Sequence, residues 1–361
     1  MSTYLISALI AGVLALIFAL VVKKLAWKWQ ILDQPQSDVN RKKHHKATAL
    51  LGGWAIFLAV LIVLFWQRQI LVSGNLQYHH WLGVMVGAML LLIGGSLDDK
   101  YNLSARQQIV WPILAVLAVI AGGVGIEKIT NPFSGLLFFD QWKIPVGWWF
   151  GQMHYFVVIA DTFTFLWLMS MMYTTKLLDG VDGLVSGITA IGSLIIFLFT
   201  ITTRYYQPDI ALAALVLGAA CLGFLVLNWH PAKIFLGEGG SLLLGFSLGV
   251  LSIISGGKIA IALLILGIPI LDVIWTIFRR LSQGKNPFKT ADRGHLHFRL
   301  LDSGLGPRKT VLLYCLISAV FGLSALFLQS RGKLFSVLLL GGLMLAVVIW
   351  FVYLDKKAKI S

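Results

Sequence analysis

Cysteine is nearly absent from the 361 residues. Cys221 and Cys315 are the two present, both inside apolar runs. They supply neither a disulfide framework nor metal-ligand spacing, and they read as small core residues. Charge is also scarce, at 12% of residues, and acid is scarcer than base: 15 Asp and Glu stand against 29 Lys and Arg. No polar stretch is long enough to bury a core of its own. That excludes a separate soluble domain, so 1–361 reads as a single unit. The first apolar run lacks a small-residue cleavage pattern and reads as a retained span. There is no tandem repeat and no low-complexity segment.

What the chain has instead is apolar length. Hydrophobic residues make up 58% of it, with a mean hydropathy of +0.86. Runs long enough to cross a bilayer recur throughout, which predicts an all-α polytopic membrane protein of about eleven transmembrane helices. The expected spans lie near 3–24, 51–71, 81–97, 108–126, 155–175, 184–203, 210–227, 241–255, 259–278, 310–328 and 334–354. With the N-terminus outside and the C-terminus cytoplasmic, all but seven of the 29 basic residues fall on the inner side, as the positive-inside rule requires. The net charge of +14 therefore points to anionic lipid and phosphate, not to nucleic acid. The aromatic and Gly/Pro-rich segment 127–154 predicts a short outer-face hairpin near 130–150, lying at the headgroups.

Five polar constellations fall on the predicted inner face. The first runs from Asp33 through Arg41, Lys42, His44 and Lys46 to Gly52-Gly53. A basic cluster before a span is first of all a topology signal, while the glycine pair permits a close backbone approach. The second contains adjacent Asp98 and Asp99, then Lys100. These acids repel each other unless a cation sits near them. The third is Lys176-Leu-Leu-Asp179-Gly-Val-Asp182-Gly. Its two carboxylates share a face if helical, although Asp-Gly pairs also simply turn a chain. The fourth runs from Asn228 through Lys233 to Gly237-Glu238-Gly239-Gly240. A glycine-rich turn entering a helix is an anion cradle, and an acid inside it calls for Mg²⁺ between acid and phosphate. The fifth pairs Asp272, inside an apolar run, with Arg293, His295, His297 and Arg299 further on. An acid at that depth needs a partner, and Arg279 on the same helix face is the expected one. The two histidines lack a third ligand at zinc spacing, so they are read as gripping phosphate.

In this order and spacing the segments resemble the polyprenyl-phosphate N-acetylhexosamine-1-phosphate transferases and, more distantly, the phospho-MurNAc-pentapeptide translocases. The matching pieces are the RKxH segment leading to Gly52-Gly53, Asp98-Asp99, DGVDGL, NxxPAKIFLGEGGS and HLHFRLL. The resemblance implies transfer of a sugar 1-phosphate from a UDP-N-acetylhexosamine, first of all UDP-GlcNAc, to undecaprenyl or another polyprenyl phosphate. UMP leaves, and Mg²⁺, or Mn²⁺ in its place, assists. It implies the cytoplasmic face of the bacterial inner membrane, the first membrane step of a cell-envelope polysaccharide, and leaves a homodimer open. It assigns catalysis to Asp98, Asp99, Asp179 and Asp182, metal to Glu238 and Asp182, and substrate binding to Arg41, Lys42, His44, Lys46, Lys100, Asn228, Lys233, Gly237, Gly239, Arg293, His295, His297 and Arg299. The chain departs from the pattern at four positions. Glu238 replaces an aspartate, Lys176 an asparagine, Phe298 a histidine and Trp111 a glutamine.

Two rivals are weaker. A CDP-alcohol phosphotransferase needs Ala-Arg soon after the first Asp-Gly pair, and Leu184-Val185-Ser186-Gly187 stands there instead. An ion-coupled transporter needs mid-membrane acids and inverted repeats. Asp272 is the one acid at that depth, and no repeat is visible.

Overall fold

The computed structural model describes residues 2–34, 47–133, 135–149, 152–202, 206–256, 259–284 and 294–360. Arg41, Lys42, His44, Lys46 and Arg293 lie outside the described residues. In chain order, α1 (Ser2–Lys28) leads through β1 (Leu32–Asp33) and β2 (Thr48–Ala49) to α2 (Gly52–Trp66) and α3 (Arg68–Leu71). Then come α4 (Tyr78–Tyr101), α5 (Ala105–Gln108) and α6 (Val110–Ala121). Two antiparallel hairpins follow, β3 (Lys128–Thr130) with β4 (Leu136–Phe138), and β5 (Lys143–Trp149) with β6 (Gln152–Val157). The rest is helical: α7 (Val158–Leu178), α8 (Leu184–Thr200), α9 (Pro208–Asn228), α10 (Glu238–Ile254), α11 (Ile259–Ile265), α12 (Gly267–Ser282), α13 (Leu296–Asp302), α14 (Pro307–Phe327) and α15 (Ser330–Ile360).

Each expected apolar segment falls on a helix or helix pair, and the whole is a mostly helical, polytopic membrane architecture. Five described helices are long and apolar enough to cross a bilayer, or six if one bent pair counts as a span. Two expectations change in detail. The expected segment 259–278 is not one rod: α11 and α12 meet at 78°. Pro269 explains the break, because it has no N–H to return to the Ile265 carbonyl. That carbonyl accepts from Ser318 Oγ of α14 instead, at 2.8 Å. A freed backbone group in an apolar setting is satisfied by a neighbouring hydroxyl. The segment near 130–150 forms two hairpins where one was expected. They present exposed Phe138, Trp142 and Trp148.

The core is centred on α9 and α10. Helix α9 lies between α1 and α8, and α10 between α4 and α7. Glycine makes the closest crossings. A Cβ on Gly95 of α4 would collide with the Gly239 backbone of α10, and one on Gly53 of α2 would collide with Gly240. Such backbone-to-backbone approach is how helices associate where lipid competes for apolar contact. The same end is stitched by a short parallel connection. Phe235 N–H donates to Ala49 O at 2.9 Å, Gly52 N–H to Phe235 O at 3.0 Å, and Gly53 N–H to Leu236 O at 2.9 Å. The chain before α2 therefore fixes where α10 begins.

Gly95→Ala should force α4 off α10 and cost about 1–3 kcal/mol, the usual penalty for overpacking. The check is the thermal unfolding midpoint in detergent. Gly341→Ala on α15, where nothing lies within 4 Å, should leave that midpoint unchanged or slightly raised.

Candidate active site

Four junctions converge at the end of the bundle where α4 and α7 finish and α8 and α10 begin. Asp98 and Asp99 occupy the last turn of α4, which stops at Asn102 in a left-handed conformation. Asp98 turns inward, where its Oδ1 accepts from Leu103 N–H at 2.9 Å and from Gln108 Nε2 at 3.1 Å. Asp99 meets the next junction, its Oδ1 accepting the Glu238 backbone N–H at 3.1 Å. That N–H belongs to the first turn of α10, where unpaired donors and the helix dipole favour an anion. Gly237 is required just before it. Its φ is 77°, and a Cβ there would lie 2.5 Å from Asp99 Oδ2.

Glu238 faces three other acids, within electrostatic range of Asp98, Asp99 and Asp179. Lys176 answers part of that charge, with Nζ 2.8 Å from Glu238 Oε2 and 3.1 Å from Gln108 Oε1. Asp179 caps α7. The protein packed around it, then repulsion from Glu238 and Asp182, pushes its carboxyl up to about 8. The carboxyl stands at the open end of this cluster, where the charges of Glu238 and Asp182 keep the direction of the shift upward.

The remaining positions divide. Asp182 braces the loop before α10: its Oδ2 bonds His230 Nδ1 at 2.7 Å and accepts Ala232 N–H at 3.1 Å. Asn228 is buried, and its amide is used structurally: Oδ1 accepts from Ser186 Oγ at 2.9 Å and Nδ2 donates to Ile234 O at 2.9 Å. Lys100 and Lys233 are exposed at the same end. Gly239 is consumed by the contact with Gly95.

Helix α13 closes over the second acidic loop. His295 caps it, with Nδ1 2.9 Å from Asp272 Oδ2, while Leu296 N–H donates to Asp272 Oδ1 at 2.9 Å. His295 stacks on His297 at 5.6 Å. His297 and Phe298 press on Gly180. The carboxylate of Asp272 is thus taken by the His295 segment, not by Arg279 as helical spacing suggested; the Arg279 guanidinium lies against Gly294. Spacing within one helix could not show a partner delivered from 23 residues away. Arg299 leans over the Phe351 ring, 5.7 Å from its centroid. Sequence reasoning did not single out Gln108, which links Asp98 to Lys176. Nothing distinguished it from any other polar residue following a span.

Among the described residues no three acids or histidines converge on one point at ligating distance. Mg²⁺ does not require that, because it is commonly held through one or two carboxylates with water and substrate phosphate completing its shell. The donor set here is all oxygen and carries surplus negative charge, which fits such an ion. Glu238, with Asp99 or Asp179 beside it, is the set that could hold it.

Residues 81–256 match the profile of glycosyl transferase family 4. A probable undecaprenyl-phosphate N-acetylglucosaminyl 1-phosphate transferase of Bacillus subtilis is 34% identical over 321 residues, covering 87% of this chain and 82% of that one. A decaprenyl-phosphate N-acetylglucosaminephosphotransferase of Mycobacterium tuberculosis is 28% identical over 86% of this chain and 79% of that protein. A phospho-N-acetylmuramoyl-pentapeptide-transferase of Desulforudis audaxviator is 30% identical over 89% of this chain and 98% of its own length. This chain belongs to glycosyl transferase family 4. It is an enzyme of the phosphoglycosyltransferase kind.

In this family-4 chain, two of the departures shape the site by packing. Trp111 fills the space over Gly94, and Phe298 lies against Gly180. A Cβ on Gly180 would sit 2.7 Å from Phe298 Cζ and 2.8 Å from His297 Nε2. Gly180→Ala should lower transfer at least about tenfold by lifting α13 off the acidic loop, since small misplacements near reacting groups are costly. Adding Phe298→Ala should return part of that loss, read as initial rates of the purified proteins.

Proposed function

We propose that the chain transfers an N-acetylhexosamine 1-phosphate from a UDP-sugar, UDP-GlcNAc first, to polyprenyl phosphate and releases UMP. The observation that carries this reading is the meeting of Asp99 with the α10 N-terminus, beside Asp98, Asp179 and Glu238. The named relatives supply the substrate class. Two of those compared above are named for transfer of N-acetylglucosamine phosphate to a polyprenyl phosphate.

The roles follow from position. Asp99, aimed at the α10 N-terminus, orients the acceptor phosphate and takes its proton. Asp98, tied to Leu103 and Gln108, holds the end of α4 in place. Asp179 and Glu238 face the donor diphosphate, and Glu238 with Asp179 would hold a Mg²⁺ or Mn²⁺ ion there. When bound, the ion neutralises charge on the diphosphate as UMP departs, which suits a reaction made mainly of positioning and electrostatics. Asp182 acts through His230 and Ala232, fixing the loop that delivers Glu238. Lys100 and Lys233 supply exposed positive charge at this end of the bundle; the substrate-binding role expected of Arg41, Lys42, His44, Lys46 and Arg293 falls on residues outside the described ones.

The topology that goes with this has eleven spans, the N-terminus outside and the C-terminus cytoplasmic. It puts the acidic cluster on the inner leaflet of the bacterial cytoplasmic membrane, where a soluble nucleotide sugar and a lipid phosphate meet. The step would then be the first membrane-bound one of an envelope polysaccharide. A phospho-MurNAc-pentapeptide donor is the second reading, favoured by the match over 98% of the Desulforudis audaxviator enzyme.

Purified protein in detergent with UDP-GlcNAc, Mg²⁺ and undecaprenyl phosphate should release UMP. Release with UDP-MurNAc-pentapeptide alone would select the second reading. Asp99→Asn should reduce turnover by about 10²-fold or more, the scale of losing a positioned base. Near-normal turnover in that variant would remove Asp99 from the chemistry. Glu238→Asp should retain measurable activity, whereas Glu238→Gln should not.

A further inference from the structure

Two of the four departures from the family pattern touch each other. Lys176 and Glu238 form an ion pair at 2.8 Å, with side chains 19% and 38% exposed. The ammonium also donates to Gln108 Oε1 at 3.1 Å. Gln108 Nε2 donates to Asp98, and the Glu238 backbone N–H donates to Asp99. The circuit Asp98–Gln108–Lys176–Glu238–Asp99 thus closes across α4, α5, α7 and α10. Lys176 is neither a loose surface lysine nor an arbitrary neighbour: α7 delivers it from its last turn, and a glutamine side chain holds it toward the acid.

An ammonium at this place affects any second cation. Its charge lies 2.8 Å from an oxygen of the carboxylate proposed to hold the metal, and it repels a divalent ion approaching that oxygen. A nucleoside diphosphate changes that balance, because it brings anionic oxygens of its own for the lysine to pair with. We propose that Lys176 is a resident counter-ion that competes with the divalent cation for Glu238, so that metal is admitted together with the donor diphosphate and not before it. In the free protein the Lys176–Glu238 pair stands. When the diphosphate arrives, the ammonium exchanges Glu238 for phosphate oxygen, and the released carboxylate takes the ion. This inference rests on the metal role given to Glu238 above.

The test is Mn²⁺ binding to the purified, substrate-free protein in detergent, followed by the electron paramagnetic resonance of the free ion. Wild type should bind weakly. Lys176→Asn and Lys176→Met should each bind at least about tenfold more tightly, because a like charge near the ion is gone. Lys176→Arg, which keeps the charge, should stay weak. Adding Glu238→Gln to Lys176→Asn should abolish the gain. Affinities within twofold of wild type in both neutral variants, or a gain that survives Glu238→Gln, would overturn the proposal. The transfer reading fails on a different observation, absence of UMP release, which does not depend on this titration.

Discussion

The site depends on one close approach. Helix α10 must begin directly against α4 with no side chain between them, and Gly95 and Gly239 make that possible. A single methyl on either side would move the first turn of α10, and with it the backbone N–H that meets Asp99. The short connection from Ala49 to Leu236 sets the axial position of the same turn. Anion-favouring donors, the Asp98-Asp99 pair and Glu238 are therefore placed by backbone contact, which is stiffer than side-chain contact and suited to a reaction governed by position.

Around this junction the protein concentrates negative charge far beyond what its composition suggests. Acids are few along the chain, yet Asp98, Asp99, Asp179, Asp182 and Glu238 collect at one end of the bundle. Lys176 offsets part of that charge, and His230 braces Asp182. The surplus is unfavourable for the free protein and favourable for binding cations and their phosphates. Stability given up at such a place is a normal companion of function. The buried Asp272–His295 contact applies the same chemistry to a structural end, using a carboxylate deep in the bundle to dock α13 on the acidic loop.

Much of the architecture was legible in the sequence, because a bilayer imposes length and apolarity on every helix that crosses it. Each apolar segment became a helix or a helix pair, and the aromatic segment became hairpin structure. The break between α11 and α12 was less legible. Pro269 was visible, but that Ser318 would relieve the freed carbonyl depends on α14 arriving there. The acidic motifs were visible as motifs. The partners of each were not: Asp98, Asp99 and Asp182 stood out equally, and the groups each one bonds are delivered only by the packed helices and loops.

The sequence by itself determined that this is a polytopic helical membrane protein whose acidic and glycine-rich motifs lie at the ends of its apolar segments, because hydropathy and local turn chemistry act over a few residues. The tertiary structure alone decided which acid meets which partner. Lys176 with Glu238, Asp272 with His295 and Asp99 with the α10 N-terminus are contacts between residues 23 to 139 positions apart. No local rule reaches that far, since such pairs form only once helix packing has brought their ends together.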